Sequence, residues 1–218
     1  MSRDGFFSME SPIYKFMSRL LDMLKLNFLW LLCSLPIVTM GASTAAAFAI
    51  TLKMVDDEEG YILKPFLKEF KSNLKNGCIA GVINIIAVYA IYLDFQFFLH
   101  LENSNTMFLA VGVIAIVFTY MHFIYAYALM ARYENTIINT LRNSFRISMR
   151  YFKKSIAMFL VIAVEMVVFL WNNSTYFLGI LVGPACIILT ISGMAKPIFR
   201  DIERKNEELE QSNSTSDE

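Results

Sequence analysis

The sequence predicts an all-α, polytopic membrane helical bundle of about six membrane-embedded helices, with both termini cytoplasmic. Three observations lead there. The chain of 218 residues is 56% apolar and only 17% charged, with a mean hydropathy of +0.51, whereas soluble domains average about 25% charged. Apolar stretches occur at roughly 77–99, 107–131, 155–171 and 176–195, and about 18 apolar residues suffice for a membrane helix. Finally, every Lys and Arg falls into one of four clusters, with long uncharged stretches between them. Basic and acidic residues balance at 19 each, so nothing in the composition marks a nucleic-acid partner.

The clusters set the order of crossings. They are Arg3, Lys15, Arg19 and Lys25; then Lys53, Lys64, Lys68, Lys71 and Lys75; then Arg132, Arg142, Arg146, Arg150, Lys153 and Lys154; then Lys196, Arg200, Arg204 and Lys205. Short loops rich in Lys and Arg stay cytoplasmic, so an even number of crossings separates each neighbouring pair. Residues 76–131 hold two full helices turning at "HLENSNT" (100–106), and residues 155–195 hold two more turning at "NNST" (172–175).

Residues 26–52 are too few for two full crossings of a core about 30 Å thick. The chain makes up length upstream. Ile13, Met17, Leu20, Leu24, Phe28, Leu31 and Leu35 recur at helical steps, which predicts a helix over 13–35. Pro36 lacks the amide that a continuing helix needs, and Gly41 is expected to supply permissive backbone for the turn. The returning segment "GASTAAAFAITLKM" carries Gly41, Ala45 and Ala49 at every fourth position, a spacing that allows close helix approach in lipid. A Pro/Gly-broken hairpin is therefore expected, with its tip buried against protein. The competing form, one kinked span, leaves the first basic cluster on the wrong side of the membrane.

Two cytoplasmic stretches read as basic amphipathic helices. In 64–75, Phe66, Phe70 and Leu74 oppose Lys64, Lys68, Lys71 and Lys75. In 137–154, Ile138, Leu141, Phe145, Met149 and Phe152 form the apolar line, with Arg142, Arg146 and Arg150 beside it. Such helices lie on anionic headgroups or dock a cytoplasmic partner, and the docking candidates are Arg142, Arg146, Arg150, Lys68 and Lys71. Each helix precedes a membrane helix, which hints at an internal repeat. The acidic run at 56–59 reads as solvated. The domain is expected to span 1–205, followed by a disordered acidic cytoplasmic tail over 206–218.

Polar groups at membrane depth are functional candidates by default. Counted from the nearest cationic cluster at 1.5 Å per residue, Glu165, His122 and Asn84 lie about 14–16 Å deep. A Glu165 and His122 pair could relay a proton or hold a polar solute, with Asn84, Tyr89 and Tyr125 as nearby donors. The structural alternative is interhelical hydrogen bonding that fixes packing. Asp94 is expected near the outer surface. No catalytic motif is present, and neither a cofactor nor a metal site is expected. Cys33, Cys78 and Cys186 show no pairing or ligand spacing.

The run "LNFLWLLCSLPIVTMGASTAA", continued by "LKMVDDEEGYILKPFLKEFKSNLK", resembles the YesL-like family, bacterial integral membrane proteins carrying a domain of unknown function. The resemblance is densest over 5–80. It implies a multi-pass protein of the bacterial plasma membrane, in a family often encoded beside sugar-uptake transporters and polysaccharide-degrading enzymes. It carries no site residue across. The function it implies is a non-enzymatic accessory role in carbohydrate uptake, with a sugar ABC transporter permease or ATPase as partner. The alternative is a small-solute secondary transporter acting as a homo-oligomer.

Overall fold

The computed structural model describes residues 11–57, 60–100 and 106–216. Arg3, the acidic residues Glu58 and Glu59, most of the connection at 100–106 and the last two residues of the tail lie outside the described residues. Eight α-helices are found among those described: α1 (Pro12–Ser34), α2 (Met40–Met54), α3 (Leu63–Ser72), α4 (Leu74–His100), α5 (Thr106–Arg132), α6 (Ile137–Arg150), α7 (Phe152–Leu170) and α8 (Asn173–Ser216). Four helical segments are long and apolar enough to cross a membrane: Ile37–Met54, Leu74–Leu99, Met107–Arg132 and Asn173–Ser212. α1 and α7 are also largely apolar, with charge at Lys15, Arg19, Asp22 and Lys25 in the first and Lys153, Lys154 and Glu165 in the second.

α1 starts where Ser11 caps the Tyr14 amide at 3.2 Å, with Pro12 in the first turn, a position that suits proline because its missing N–H has no partner there anyway. It ends before Pro36, as expected. A single 3-10 turn, Ile37–Thr39, then reverses the chain into α2. The Thr39 hydroxyl ties that turn by donating to the Cys33 and Pro36 carbonyls. The two helices form an antiparallel hairpin: Ser43 donates to the Trp30 carbonyl near the tip, and Arg19 pairs with Asp57 at the open end. The chain therefore turns back here, but its tip is not buried against protein as expected: Leu35, Ile37 and Val38 are exposed, and the Thr39 hydroxyl meets the freed carbonyls instead.

Gly41 has a different role from the one expected. Among the described residues no glycine has positive φ, and Gly41 sits inside the first turn of α2. It faces Gly77 and Gly81 of α4. A Cβ on Gly41 would run into the Gly77 carbonyl oxygen, and one on Gly77 would stand 2.5 Å from Ala42 Cα. These glycines let two backbones touch, so the break belongs to Pro36 and the packing to Gly41.

α2 is the hub. It packs against α1, α3, α4, α5 and α8, and its small side chains from Gly41 to Leu52 are almost all buried. At 15 residues it is about 22 Å long. The core lies around it, with the inner half of α5 (Phe123 to Met130), Phe66 of α3, and Ile188 to Phe199 of α8. Outside this core, α4, α5, α7 and α8 expose Ile86, Tyr89, Ile114, Leu160, Val164 and Phe177, among other large apolar side chains. An apolar exterior of that extent is what lipid covers. Trp171 and Tyr176 stand exposed at the turn between α7 and α8, as membrane-interface aromatics do.

The order helix, surface helix, helix occurs twice, as α2–α3–α4 and α5–α6–α7. α3 buries Phe66 and exposes Lys64, Lys68 and Lys71, as its pattern predicts, whereas Leu74 of the expected apolar line is exposed and opens α4, and the buried Ile62 precedes the helix. α6 departs from its pattern. Its buried edge is Thr140, Ser144 and Ser148, packed on α5, while Ile138 and Met149 of the expected apolar line are exposed. Small hydroxyl residues approach the neighbouring backbone more closely than Phe or Met can, and Ser144 donates to the His122 carbonyl. The tail also differs. α8 remains helical through Ser216 rather than ending at 205, supported by Asp201, Arg204, Lys205 and Glu208 pairing at three- and four-residue steps.

Gly41→Ala should destabilise the protein by about 1–3 kcal/mol through overpacking. Gly193→Ala, where a Cβ meets nothing within 4 Å, should instead be neutral or stabilising by up to about 1 kcal/mol. Paired thermal melts in one detergent check the opposite signs.

Candidate functional site

The polar residues predicted at mid-membrane are separated. Glu165 of α7 accepts from Thr190 of α8 at 2.5 Å, while its second oxygen is buried without a hydrogen-bond partner. His122 of α5 stacks on Phe118 at 6.2 Å and lies among Phe123 and Phe145, its Nδ1 unpartnered. Asn84 of α4 interacts with the Tyr127 phenol. Each thus pairs with its own neighbours, and Glu165 and His122 form no hydrogen bond with each other among the described residues. Tyr125 is fully buried, bonded to Ser155 at 3.0 Å and facing the Met158 sulfur at 3.4 Å, whereas Tyr89 is 60% exposed. Asp94 packs against Gly112 of α5. Asn84 does line a cleft of about 440 Å³, walled by Trp30, Thr44, Tyr120, Phe123 and Ile188.

The most highly constrained intramembrane polar group is one that sequence reasoning missed. Pro184 stands inside α8 and has no amide to offer the Ile180 carbonyl. Asn27 of α1, 1% exposed, donates to the Ile180 and Leu181 carbonyls at 3.0 and 2.8 Å and accepts from the Ala185 amide at 3.3 Å. One side chain thus bridges the gap in the ladder, where lipid would leave it bare. The available signal was an amide in the apolar part of α1 together with a proline inside a membrane helix.

A second polar assembly lies where α2 and α5 end beside the middle of α8. Lys196, 4% exposed, donates to the Leu52 carbonyl at 2.7 Å, one of the last carbonyls of α2, and pairs with Asp56. A cation there also complements the helix dipole. Arg200 reaches the same carboxylate at 2.7 Å. One turn deeper, Thr51 and Ser192 share a buried hydrogen bond of 2.6 Å. Arg132 holds Glu203 through two bonds of 2.9 and 2.8 Å, and Tyr133 donates to the same carboxylate. Burial first, and Glu203 second, push the Tyr133 phenol up to about 12. Tyr151 donates to Asp201 at 2.7 Å, and Arg204 and Lys205 pair with that carboxylate. α8 is the common post to which α2, α5 and the start of α7 are tied.

The predicted docking cations sit apart from this framework. Arg142, Arg146, Arg150, Lys68 and Lys71 are all exposed, and none is seen in an ion pair among the described residues. Arg146 and Arg150 line a groove of about 600 Å³ between α6 and the extended part of α8, with Tyr133, Asn143 and Asn206 on its other walls.

Residues 23–95 match the family described as "Protein of unknown function, DUF624". YesL-like proteins belong to that family, so the resemblance read from the N-terminal run is borne out over this segment. No curated protein and no solved structure matches the chain.

Two predictions follow from these contacts. Asn27→Leu should cost about 1–3 kcal/mol, the penalty for leaving buried polar groups unsatisfied, and Asn27→Asp should not restore the loss because a carboxylate cannot donate to the two carbonyls; thermal melts of the detergent-solubilised variants check both. The Lys196 ammonium, acting first through a hydrogen bond, holds the Asp56 carboxyl below its ordinary value of 3.8. A depressed carboxyl stabilises the fold above its unfolded pKa and loses that contribution as pH falls through the folded one. The stability gap between the wild type and Asp56→Asn should therefore be full at neutral pH and close below pH 3.8, as melts across a pH series would read.

Proposed function

We propose that the protein is a multi-pass plasma-membrane protein without catalytic activity of its own, serving carbohydrate uptake as an accessory component. In this reading six helices, α1, α2, α4, α5, α7 and α8, are membrane-embedded, and both termini are cytoplasmic. α6 presents Arg142, Arg146 and Arg150 to an acidic surface on a sugar permease or its ATPase.

The observation that carries this reading is the division of the basic residues. The cations of α8 and the end of α5 are committed to carboxylates within the chain, whereas those of α6 form no ion pair among the described residues, and Arg146 and Arg150 stand on the rim of a 600 Å³ groove. Exposed charge on a braced surface sets partner choice and encounter rate at little cost to the fold. Asp56, Asp201 and Glu203 keep that surface rigid. The link to carbohydrate uptake rests on the family resemblance alone.

One observation favours a second reading, small-solute transport by an oligomer. The cleft beside Asn84 reaches into the bundle between α2, α5 and α8, and the buried Tyr120 hydroxyl on its wall has no hydrogen-bond partner.

Affinity purification of the tagged protein from its own host in mild detergent separates the two. A sugar permease or ATPase should co-purify with the wild type, and reversal of Arg142, Arg146 and Arg150 to Glu should abolish its recovery while leaving the folded amount unchanged. Recovery of the protein alone overturns the accessory reading.

A further inference from the structure

A groove of about 590 Å³ opens where α2 ends, α7 begins and α8 leaves the membrane, lined by Val55, Asp56, Lys154, Gly193, Lys196, Pro197, Arg200, Asp201 and Arg204. Four cations and two carboxylates face it. Lys196 and Arg200 share the single carboxylate of Asp56, and Arg204 shares Asp201 with Lys205 and reaches the exposed Glu208, outside the groove lining, at 3.8 Å. Lys154 has an aromatic neighbour, its ammonium 5.6 Å from the Tyr151 ring centre. The groove therefore holds positive charge in excess of its internal partners. That excess is fixed in place, because Lys196 is buried and anchored to the Leu52 carbonyl.

Its depth identifies what the excess charge meets. Gly193 follows directly on Ile191 and Ser192, which are buried in the bundle, and Pro197 lies about one turn further along α8. On the facing wall, Lys154 sits in the first turn of α7, on the same helical face as the exposed Ala157 and Val161, three and seven residues on. A lysine just beneath lipid-facing side chains holds its ammonium at headgroup level. Basic pockets between membrane helices at that level select anionic headgroups. Pro197 also removes the amide that would otherwise bond the Gly193 carbonyl, leaving an acceptor beside the cations that suits a headgroup hydroxyl.

We propose that this groove binds the headgroup of an anionic phospholipid, the phosphate taken by Lys154, Arg200 and Arg204 around the fixed Lys196. The site lies apart from the α6 arginines and stands whether or not the chain docks a partner. Lipid seated there bridges α7 to α2, two helices otherwise linked through α8.

Native mass spectrometry of the full chain released from detergent, with added phosphatidylglycerol, phosphatidylcholine or glycerol phosphate, tests the site. Phosphatidylglycerol should bind about tenfold more tightly than phosphatidylcholine, given the strength of cation attraction to anionic lipid. The preference should vanish in Lys154→Gln with Arg204→Gln, two exposed positions, and survive in Lys68→Gln with Lys71→Gln, which removes equal charge from α3. Equal loss in both double variants, or no loss in the first, overturns the site. Binding of glycerol phosphate as strong as that of the lipid overturns the lipid assignment. Should the first double variant fold poorly, Arg204→Gln alone is read against Lys68→Gln by the same criterion.

Discussion

The fold depends on enclosing a helix that is too short. α2, with its 15 residues, covers about 22 Å of a hydrocarbon core near 30 Å thick. The turn before it stays exposed at Leu35, Pro36, Ile37 and Val38, where the Thr39 hydroxyl satisfies the Cys33 and Pro36 carbonyls, but the body of the helix is enclosed. The helix must be wrapped by protein, and wrapping a helix on nearly every side requires small side chains. Gly41, Ala42, Ala45, Ala46 and Ala49 meet that requirement. The contact between Gly41 and the Gly77 and Gly81 backbone takes it to the limit. With α4 seated there, α5 and α8 close the remaining sides, and the core forms around α2, whose own large buried side chains are Phe48, Ile50 and Leu52.

α8 then fixes both levels of the bundle. At its outer level, Pro184 would leave a carbonyl bare, and the Asn27 amide from α1 fills the gap. At its inner level, the Lys196 ammonium meets the last carbonyls of α2 and Asp56 beyond them. A buried cation is tolerable only with its partners in place, so each contact reports whether its neighbour helix is seated. The polar atoms do little to drive association in an apolar medium, but they specify register, because any slip of α8 by a turn separates Asn27 from Pro184 and Lys196 from Leu52 together.

How much of this the sequence disclosed depended on the kind of signal. α1 was legible because its apolar stripe runs unbroken from Ile13 to Leu35 and Pro36 stops it. α3 was legible because its apolar and basic faces are opposed across one helix. α6 misled because the larger side chains were assumed to face inward, whereas Thr140, Ser144 and Ser148 do so; beside a membrane the apolar face has lipid as an alternative partner. Gly41 was read as turn flexibility, since pattern alone cannot distinguish a glycine that bends from one that admits a neighbour. The group of Glu165, His122 and Asn84 dispersed for a geometric reason. Counting residues from the charged ends gives a height but not the direction in which a side chain points, and the three groups meet different partners, Thr190, Phe118 and Tyr127. Asn27 lay in plain view, but its meaning depended on Pro184, more than 150 positions later in the chain.

The distribution of cations follows from the same economy of polar contacts. A basic residue near a buried helix end must be paired or it destabilises the bundle, so Arg132, Lys196 and Arg200 are bound to carboxylates from other segments. A basic residue on the outer side of a surface helix is solvated and needs no partner within the chain. Arg142, Arg146 and Arg150 fall in that second class because α6 turns its hydroxyl edge, with Phe145 beside it, to α5, which leaves the arginines exposed. Their freedom is therefore a consequence of how α6 packs. A surface of free charge held on a helix packed in this way cannot roll to satisfy itself, and such a surface meets whatever anion approaches with its geometry already set.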